Sequence, residues 1–94
     1  MTHMIMAKFS DRSVLTEELF TALERLFSAA GELPGVSDVR LIRNIVDREN
    51  RYDLLIEIDM TPEALPTWDG SDIHRRWKAE YGALLQSKAI FDRA

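Results

Sequence analysis

The fold of this chain is decided by residues 68–77, WDGSDIHRRW, and by the residues that follow them. The turn formers Gly70 and Ser71 precede Asp72, which we interpret as the N-cap of a helix. Beyond it, apolar side chains recur at helical spacing, in the set Ile73, Trp77, Tyr81, Leu84 and Leu85. One face of this helix is therefore expected to pack against the core.

His74 lies in the first turn of this predicted helix. The free backbone N–H groups and the positive end of the helix dipole favour a neutral, proton-accepting imidazole there. His74 is therefore a candidate general base. The alternative is a structural histidine that only bonds to a nearby backbone group or carboxylate.

Length and composition limit the classes of protein to consider. The 94 residues suit a single domain over 1–94, and the net charge of −4, without a basic aromatic strip, argues against nucleic acid as a partner. No apolar run approaches the roughly 20 residues that cross a bilayer, and there is no cysteine. We expect a cytoplasmic protein without a membrane partner. No metal-ligand spacing such as His-x-x-x-His occurs, so neither a metal nor another cofactor is predicted.

Strand and helix patterns alternate along the chain. Period-2 patterns predict strands over residues 3–9, 36–45, 52–60 and 87–92. A 3.6-residue pattern over 15–30 predicts the first helix, and a short helix after Thr61 is expected to end near Pro66, leaving Trp68 in a loop. This order predicts an α+β, ferredoxin-like protomer, an antiparallel four-stranded sheet with helices on one face.

The second face of the predicted sheet has no element of this chain to cover it. It mixes charged residues with apolar ones, and its acids are expected to pair with Arg40 and Lys8. The apolar residues assigned to it are Met4, Met6, Ile42, Leu55 and Ile90. We predict a homodimer that packs through this face. The alternative is a monomer in which one face of the sheet is exposed to solvent.

A series of short motifs resembles the stress-responsive α/β barrel family, the Dabb domains, over nearly the whole chain. The motifs are His3 at the start of the first strand, Pro34-Gly35-Val36, Tyr52-Asp53, Ala64-Leu65, His74 and Ile90-Phe91-Asp92. The resemblance implies that the protomer forms a dimeric α/β barrel with a cavity between each sheet and its helices.

The resemblance also implies an activity without cofactors. The family includes plant polyketide cyclases that form olivetolic acid by an intramolecular aldol condensation, and the histidine matching His74 is their base. A tyrosine six residues earlier assists that base, and Trp68 stands at this position here. The family's His-Pro-x-His motif also differs, because its first histidine is replaced by Ser71.

The predicted site has His74 as the catalytic base and a ligand-binding wall between sheet and helices. The wall comprises His3, Ile5, Leu23, Ile56, Trp68 and Trp77. A plain core role is the alternative for Trp77, and a buried histidine with one hydrogen bond is the alternative for His3.

Three functions are compatible with these patterns. The first is binding, with or without turnover, of a small apolar or polyketide-like compound, with His74 as base. The second is a dimeric, stress-linked structural or ligand-binding module without turnover, a hypothesis motivated by the missing tyrosine at Trp68. The third is a cofactor-free monooxygenase, since such enzymes share the barrel arrangement. The sequence does not decide whether the protein is an enzyme.

Overall fold

One antiparallel sheet and three helices make up the chain in the computed structural model, which describes residues 1–94. The four strands are β1 (Thr2–Phe9), β2 (Val36–Arg43), β3 (Leu54–Met60) and β4 (Leu85–Arg93). The three helices are α1 (Glu17–Ser28), α2 (Leu65–Asp69) and α3 (Asp72–Tyr81). Every predicted strand is present, with ends within two residues of those expected from sequence.

The strand order in the sheet is β2-β3-β1-β4, and every neighbouring pair is antiparallel. With α1 between the first two strands and the other helices before the last, this is the ferredoxin-like arrangement. The prediction of an α+β, ferredoxin-like protomer is confirmed.

Helix α1 forms where the 3.6-residue pattern predicts it. Thr16 is the N-cap, and its side-chain oxygen accepts a hydrogen bond from the backbone N–H of Leu19. Leu23 and Phe27 lie on its buried face and pack against the sheet. The helix is thus held by its apolar face, while Glu17 complements the positive end of its dipole.

The two sides of the sheet differ sharply. The inner face, which the helices cover, carries Ile5 of β1 and Ile56 and Ile58 of β3, each almost fully buried. The outer face carries the alternating residues of the same strands and is only partly buried, as at Met6 and Leu55. The core therefore lies between the inner face and the helices.

The segment before α3 differs from the sequence prediction. A 3-10 turn at Pro62–Ala64 runs directly into α2, so Trp68 lies in a helix and not in a loop. Pro66 does not end that helix, because it occupies a first-turn position, where a missing backbone N–H costs nothing. Ser71, not Asp72, is the N-cap of α3.

The assignment of Ile90 to the outer face was wrong. In the β1–β4 register Ile90 lies opposite Ile5, which puts it on the inner face, and Phe91 lies opposite Met4 on the outer face. Ile90 is nevertheless exposed, because β4 is an edge strand beyond the cover of the helices. The expected pairing of Lys8 with acids was also wrong, because its ammonium donates to the backbone carbonyls of Arg48 and Arg51.

Candidate functional site around two histidines and an indole

His3 projects from β1 into the space under the helices. Its side chain is only 7% exposed, and its Nδ1 lies 2.5 Å from Oδ1 of Asp92, directly opposite on β4. Because a carboxylate accepts hydrogen bonds, this contact places the ring hydrogen on Nδ1. In the neutral form of the ring, the free lone pair is then on Nε2.

His74 is placed by the cap of α3. The Ser71 hydroxyl oxygen accepts a hydrogen bond from the His74 backbone N–H over 3.1 Å and donates one to the Trp68 carbonyl over 2.7 Å. The His74 ring is half-buried, and its Nδ1 lies 2.9 Å from the backbone carbonyl of Asp69. A carbonyl can only accept, so Nδ1 again holds the hydrogen and Nε2 is free.

Trp68 lies between these two histidines. Its ring centroid is 5.1 Å from that of His74 and 6.3 Å from that of His3, and the whole residue is buried. Its Nε1 is the one fully buried side-chain nitrogen or oxygen of the chain without a hydrogen-bond partner. An unpaired buried donor of this kind costs about 1–3 kcal/mol.

The other predicted ligand-binding residues are core residues in this structure. Ile5, Leu23, Ile56 and Trp77 are each at most 1% exposed, and Trp77 packs edge-on against Phe27. The five principal pockets of the chain are all lined by residues other than the two histidines and Trp68. The indole of Trp68 therefore fills the space in which the family resemblance implies a cavity.

An apolar pocket of about 350 Å³ lies at a different place, where the outer face meets the connection between β2 and β3. Six of its eight lining residues are hydrophobic, among them Met6, Ile42, Tyr52 and Leu55. Its polar members Arg43 and Asn44 are already bonded, to Glu17 and to the Tyr52 carbonyl. This pocket therefore offers mainly apolar contact area, and both terminal nitrogens of Arg43 and the amide of Asn44 are engaged within the chain.

A charged network crosses the outer face beside that pocket. Arg40 contacts Asp38, Glu57 and Asp59, which confirms the expected pairing of the β3 acids with this arginine. Hydrogen bonds from Arg40 and from the Thr2 hydroxyl lower the pKa of Asp59 to about 2. Hydrogen bonds to Asp59 and Asp38 in turn raise the pKa of Arg40.

Two further features bear on partners. No group of three or more His, Cys, Asp or Glu side chains is arranged to hold a metal ion. None of the helices combines the length and the apolar character that a membrane span requires.

Solved structures with this fold are numerous, whereas no protein-family model and no curated protein sequence matches the chain. A dimeric ferredoxin-like protein of unknown function from Thermobifida fusca superposes with a TM-score of 0.80 at 14% identity, covering 99% of this chain and 88% of the other. A Dabb family protein with a ferredoxin-like fold from Mesorhizobium loti gives 0.74 at 13% identity, covering 99% and 93%. A hydroxynitrile lyase from Passiflora edulis gives 0.73 at 8% identity, covering 96% and 87%.

The chain thus has the ferredoxin-like fold of a class that includes a Dabb family protein. The resemblance stated from sequence is confirmed at the level of the fold. Neighbours of the same fold are described as dimeric.

The sequence predicted that His3 and His74 lie on the same side of the sheet, but it did not identify the hydrogen-bond partner of His3. Asp92 is the last residue of the Ile90-Phe91-Asp92 motif, and only the β1–β4 register shows that it faces His3. The signal was present in the predicted topology. In a ferredoxin-like sheet the end of the last strand lies beside the start of the first.

Proposed function

We propose that this protein is a homodimer that binds a small apolar compound beside His3, Trp68 and His74, without a cofactor, and that His74 acts on the compound as a general base. The observation that carries the proposal is that two imidazoles flank one buried indole, each with its Nδ1 bonded to an acceptor. In the neutral form of each ring, Nε2 is therefore the proton acceptor.

The roles of the two histidines follow from their exposure. His74 is half-buried at the start of α3, so a compound entering from solvent can reach its ring. His3 lies deeper and is oriented by Asp92, which suits binding of the compound. Ile5, Leu23, Ile56 and Trp77 form the apolar surroundings of this site in the proposal.

The homodimer is supported by the outer face. Phe91 is 61% exposed and Ile42 is 45% exposed, and both lie on that face with Met4, Met6 and Leu55. Apolar area of this extent, crossed by the Arg40 network, suits packing of two sheets about a two-fold axis. The pocket at Met6 and Leu55 would then be covered by the second copy.

Deuterium exchange tests the general base. A panel of phenols and acyl-thioester mimics is titrated against the wild type, and exchange of the acidic C–H protons of bound mimics is followed by NMR. His74→Ala should slow exchange by about 100-fold or more while binding changes little, because general bases contribute 10²–10⁴-fold. Arg75→Ala, one residue further along the exposed side of α3, is the matched control and should keep the wild-type rate. Equal rates in wild type and His74→Ala, or a wild type that retains no compound, would falsify the proposal.

A non-catalytic dimeric module is the second candidate, and one observation favours it. Trp68 is fully buried, and no principal pocket reaches it or the histidines. In this alternative the histidines only complete hydrogen bonds with Asp92 and the Asp69 carbonyl. The same assay decides between the two, because a module without turnover catalyses no proton exchange, whether or not it retains a compound.

A further inference from the structure

Strand β4 has a free side that no other strand of the chain occupies, because only β1 pairs with it. Apolar side chains are exposed there on both faces of the sheet. Ile90 on the inner face is 48% exposed, and Phe91 on the outer face is 61% exposed. Packing of two outer faces covers Phe91 but leaves Ile90 in solvent. A strand added to the free side of β4 covers both, because its side chains lie beside those of β4 on each face.

The opposite edge of the sheet is protected against strand addition, whereas this edge is regular. Strand β2 carries charged side chains along its length and has a register shift between Val36 and Asp38. Charges and irregularities of this kind prevent edge-to-edge pairing. The pairing of β4 with β1 is regular from Ser87 to Arg93, and Ile90 is the central residue of this segment.

Two copies of β4 complement each other when they run antiparallel about a two-fold axis beside Ile90. Residues equally far from Ile90 on its two sides then lie opposite each other, so Lys88 faces the partner's Asp92 and Ile90 faces its own copy. An axis at Ala89 or at Phe91 instead places Ile90 opposite a charged residue, Lys88 or Asp92. The register centred on Ile90 therefore matches opposite charges and apolar side chains at once.

Both members of this charge pair have bonding capacity left within their own chain. Lys88 is exposed and belongs to none of the chain's ion pairs. The Asp92 side chain is 40% exposed, and its Oδ1 is the oxygen that bonds to His3, which leaves Oδ2. Four residues along one strand are about 13 Å apart, so Lys88 and Asp92 of one chain do not meet. Opposite residues of an antiparallel pair have Cβ atoms about 5 Å apart, which suits an ion pair.

We propose that the homodimer joins at the β4 edges in this register, and that the partner's Lys88 donates to Asp92 and completes the His3–Asp92 pair of each site. This inference rests on the homodimer of the proposed function and names the residue that the second copy supplies. The ammonium fixes the carboxylate that orients the His3 ring, so Lys88 is a positioning residue. The same axis lets the two outer faces turn towards each other, because twisted sheets joined at an edge curl.

Introduced cysteines test the register, since the chain has none of its own. Ile90→Cys should form a disulfide-linked dimer in a glutathione redox buffer, because opposite Cα atoms lie about 5 Å apart, within the span of a disulfide. The linked fraction should exceed that of Ala79→Cys by about tenfold or more, since residues held opposite each other have an effective concentration in the mM range. Ala79 is exposed on α3, so its variant measures random collisions.

Ala89→Cys and Phe91→Cys are the matched controls within the same strand. Each position has its own copy about 8 Å away across the axis, too far for a disulfide, whereas the two positions lie opposite each other. Neither variant should link by itself, and a mixture of the two should link. If Ile90→Cys stays unlinked while the wild type is dimeric, or if Phe91→Cys links to itself more than Ile90→Cys does, the register is wrong and the outer-face homodimer stands. A wild type that is monomeric at every concentration overturns this inference together with the homodimer, and the exchange assay then decides separately on binding and base chemistry.

The contact with Asp92 is tested through His3. Lys88→Met removes the ammonium and should shift the His3 ring signals in NMR spectra of the dimer, although Lys88 of the same chain is too far away to act. Lys88→Arg keeps a cation and should leave those signals close to their wild-type positions. Lys78→Met, which replaces an exposed lysine of α3, is the control and should not move them. Signals that ignore Lys88→Met, or that respond equally in dilute monomeric protein, overturn the role of the partner's Lys88.

Discussion

Arg12 and Asp53 form a two-pronged ion pair, with Nη1 and Nη2 of the arginine 2.7 and 2.6 Å from the two carboxylate oxygens. Asp53 also accepts a hydrogen bond from the backbone N–H of Phe9 over 2.7 Å. Burial by itself raises the pKa of Asp53, but these hydrogen bonds outweigh it and the net pKa is lowered. The pair thus ties the segment before α1 to the start of β3.

Removing Arg12 should therefore destabilise the protein. Arg12→Ala leaves a buried carboxylate with one hydrogen bond, and we expect a loss of about 2 kcal/mol. This is below the range for a fully buried pair, because the Arg12 side chain is 36% exposed. Urea unfolding measures the loss, and Arg75→Ala, which breaks an exposed pair with Asp72, should cost at most about 0.5 kcal/mol. Equal losses in the two variants would contradict this account.

Acid should weaken the outer-face network. The pKa of Asp59 is lowered to about 2, so its ionised form is favoured by folding. For a carboxyl with a depressed pKa, the stabilisation is complete above the unfolded pKa, about 4, and is lost as pH falls through about 2. Asp59→Asn should be less stable than wild type at pH 7, and the difference should shrink between about pH 4 and pH 2. Urea unfolding at a series of pH values measures this difference in stability. If the difference stays constant over this pH range, the carboxylate charge is not involved.

Gly35 should not tolerate a side chain. Its φ is +84°, and an added Cβ would lie 2.7 Å from the Thr61 hydroxyl oxygen and 2.9 Å from the Ala64 Cβ. Gly35→Ala should cost about 2 kcal/mol, from backbone strain and the clash together. Gly31→Ala is the matched control, since a Cβ there meets nothing within 4 Å, and its unfolding free energy should change by less than about 1 kcal/mol. Similar denaturation midpoints for the two variants would count against the strain argument.

The cap of α3 should matter for His74 as well as for stability. Ser71→Ala removes the hydroxyl that joins the His74 backbone to the Trp68 carbonyl, and we expect a loss of about 1–2 kcal/mol. Thr16→Ala removes the corresponding cap of α1 at a cost of about 1 kcal/mol. Only Ser71→Ala should shift the His74 ring signals in NMR spectra. If both variants leave those signals in place, the cap does not position the ring.

The proposed homodimer should depend on Phe91. Phe91→Glu puts a charge on the outer face at the edge strand β4, where Phe91 is exposed, and should raise the dissociation constant of the dimer by about 100-fold or more. Ala22→Glu, on the exposed side of α1, adds the same charge and should leave association unchanged. Size-exclusion chromatography with light scattering over a concentration series measures both. A wild type that is monomeric throughout the series, or a Phe91→Glu variant that stays dimeric, would refute the interface.

The strands and α1 were predictable because their burial follows a simple period. Ile56 and Ile58 alternate with Glu57 in β3, and Leu23 and Phe27 recur one turn apart in α1. The face of β4 was not predictable, because Ala89, Ile90 and Phe91 are three consecutive apolar residues and period 2 does not choose between the two faces there. Ile90 was misplaced for that reason.

The site was predictable only in part. The position of His3 on the inner face follows from period 2 in β1, and that of His74 follows from the start of α3. The burial of the Trp68 indole between His3 and His74 depends on tertiary packing. A helix of five residues turns the indole inward, and no local pattern marks that direction.

The two tryptophans contact the same phenylalanine, with centroids 5.9 and 5.1 Å from that of Phe27. Tryptophan fluorescence therefore reports on a single cluster, which lies between the sheet and the helices. The outer face contributes nothing to tryptophan fluorescence, since neither of the chain's two indoles lies on it. Dissociation of a dimer through that face should leave tryptophan emission unchanged, whereas loosening of the helices should change it.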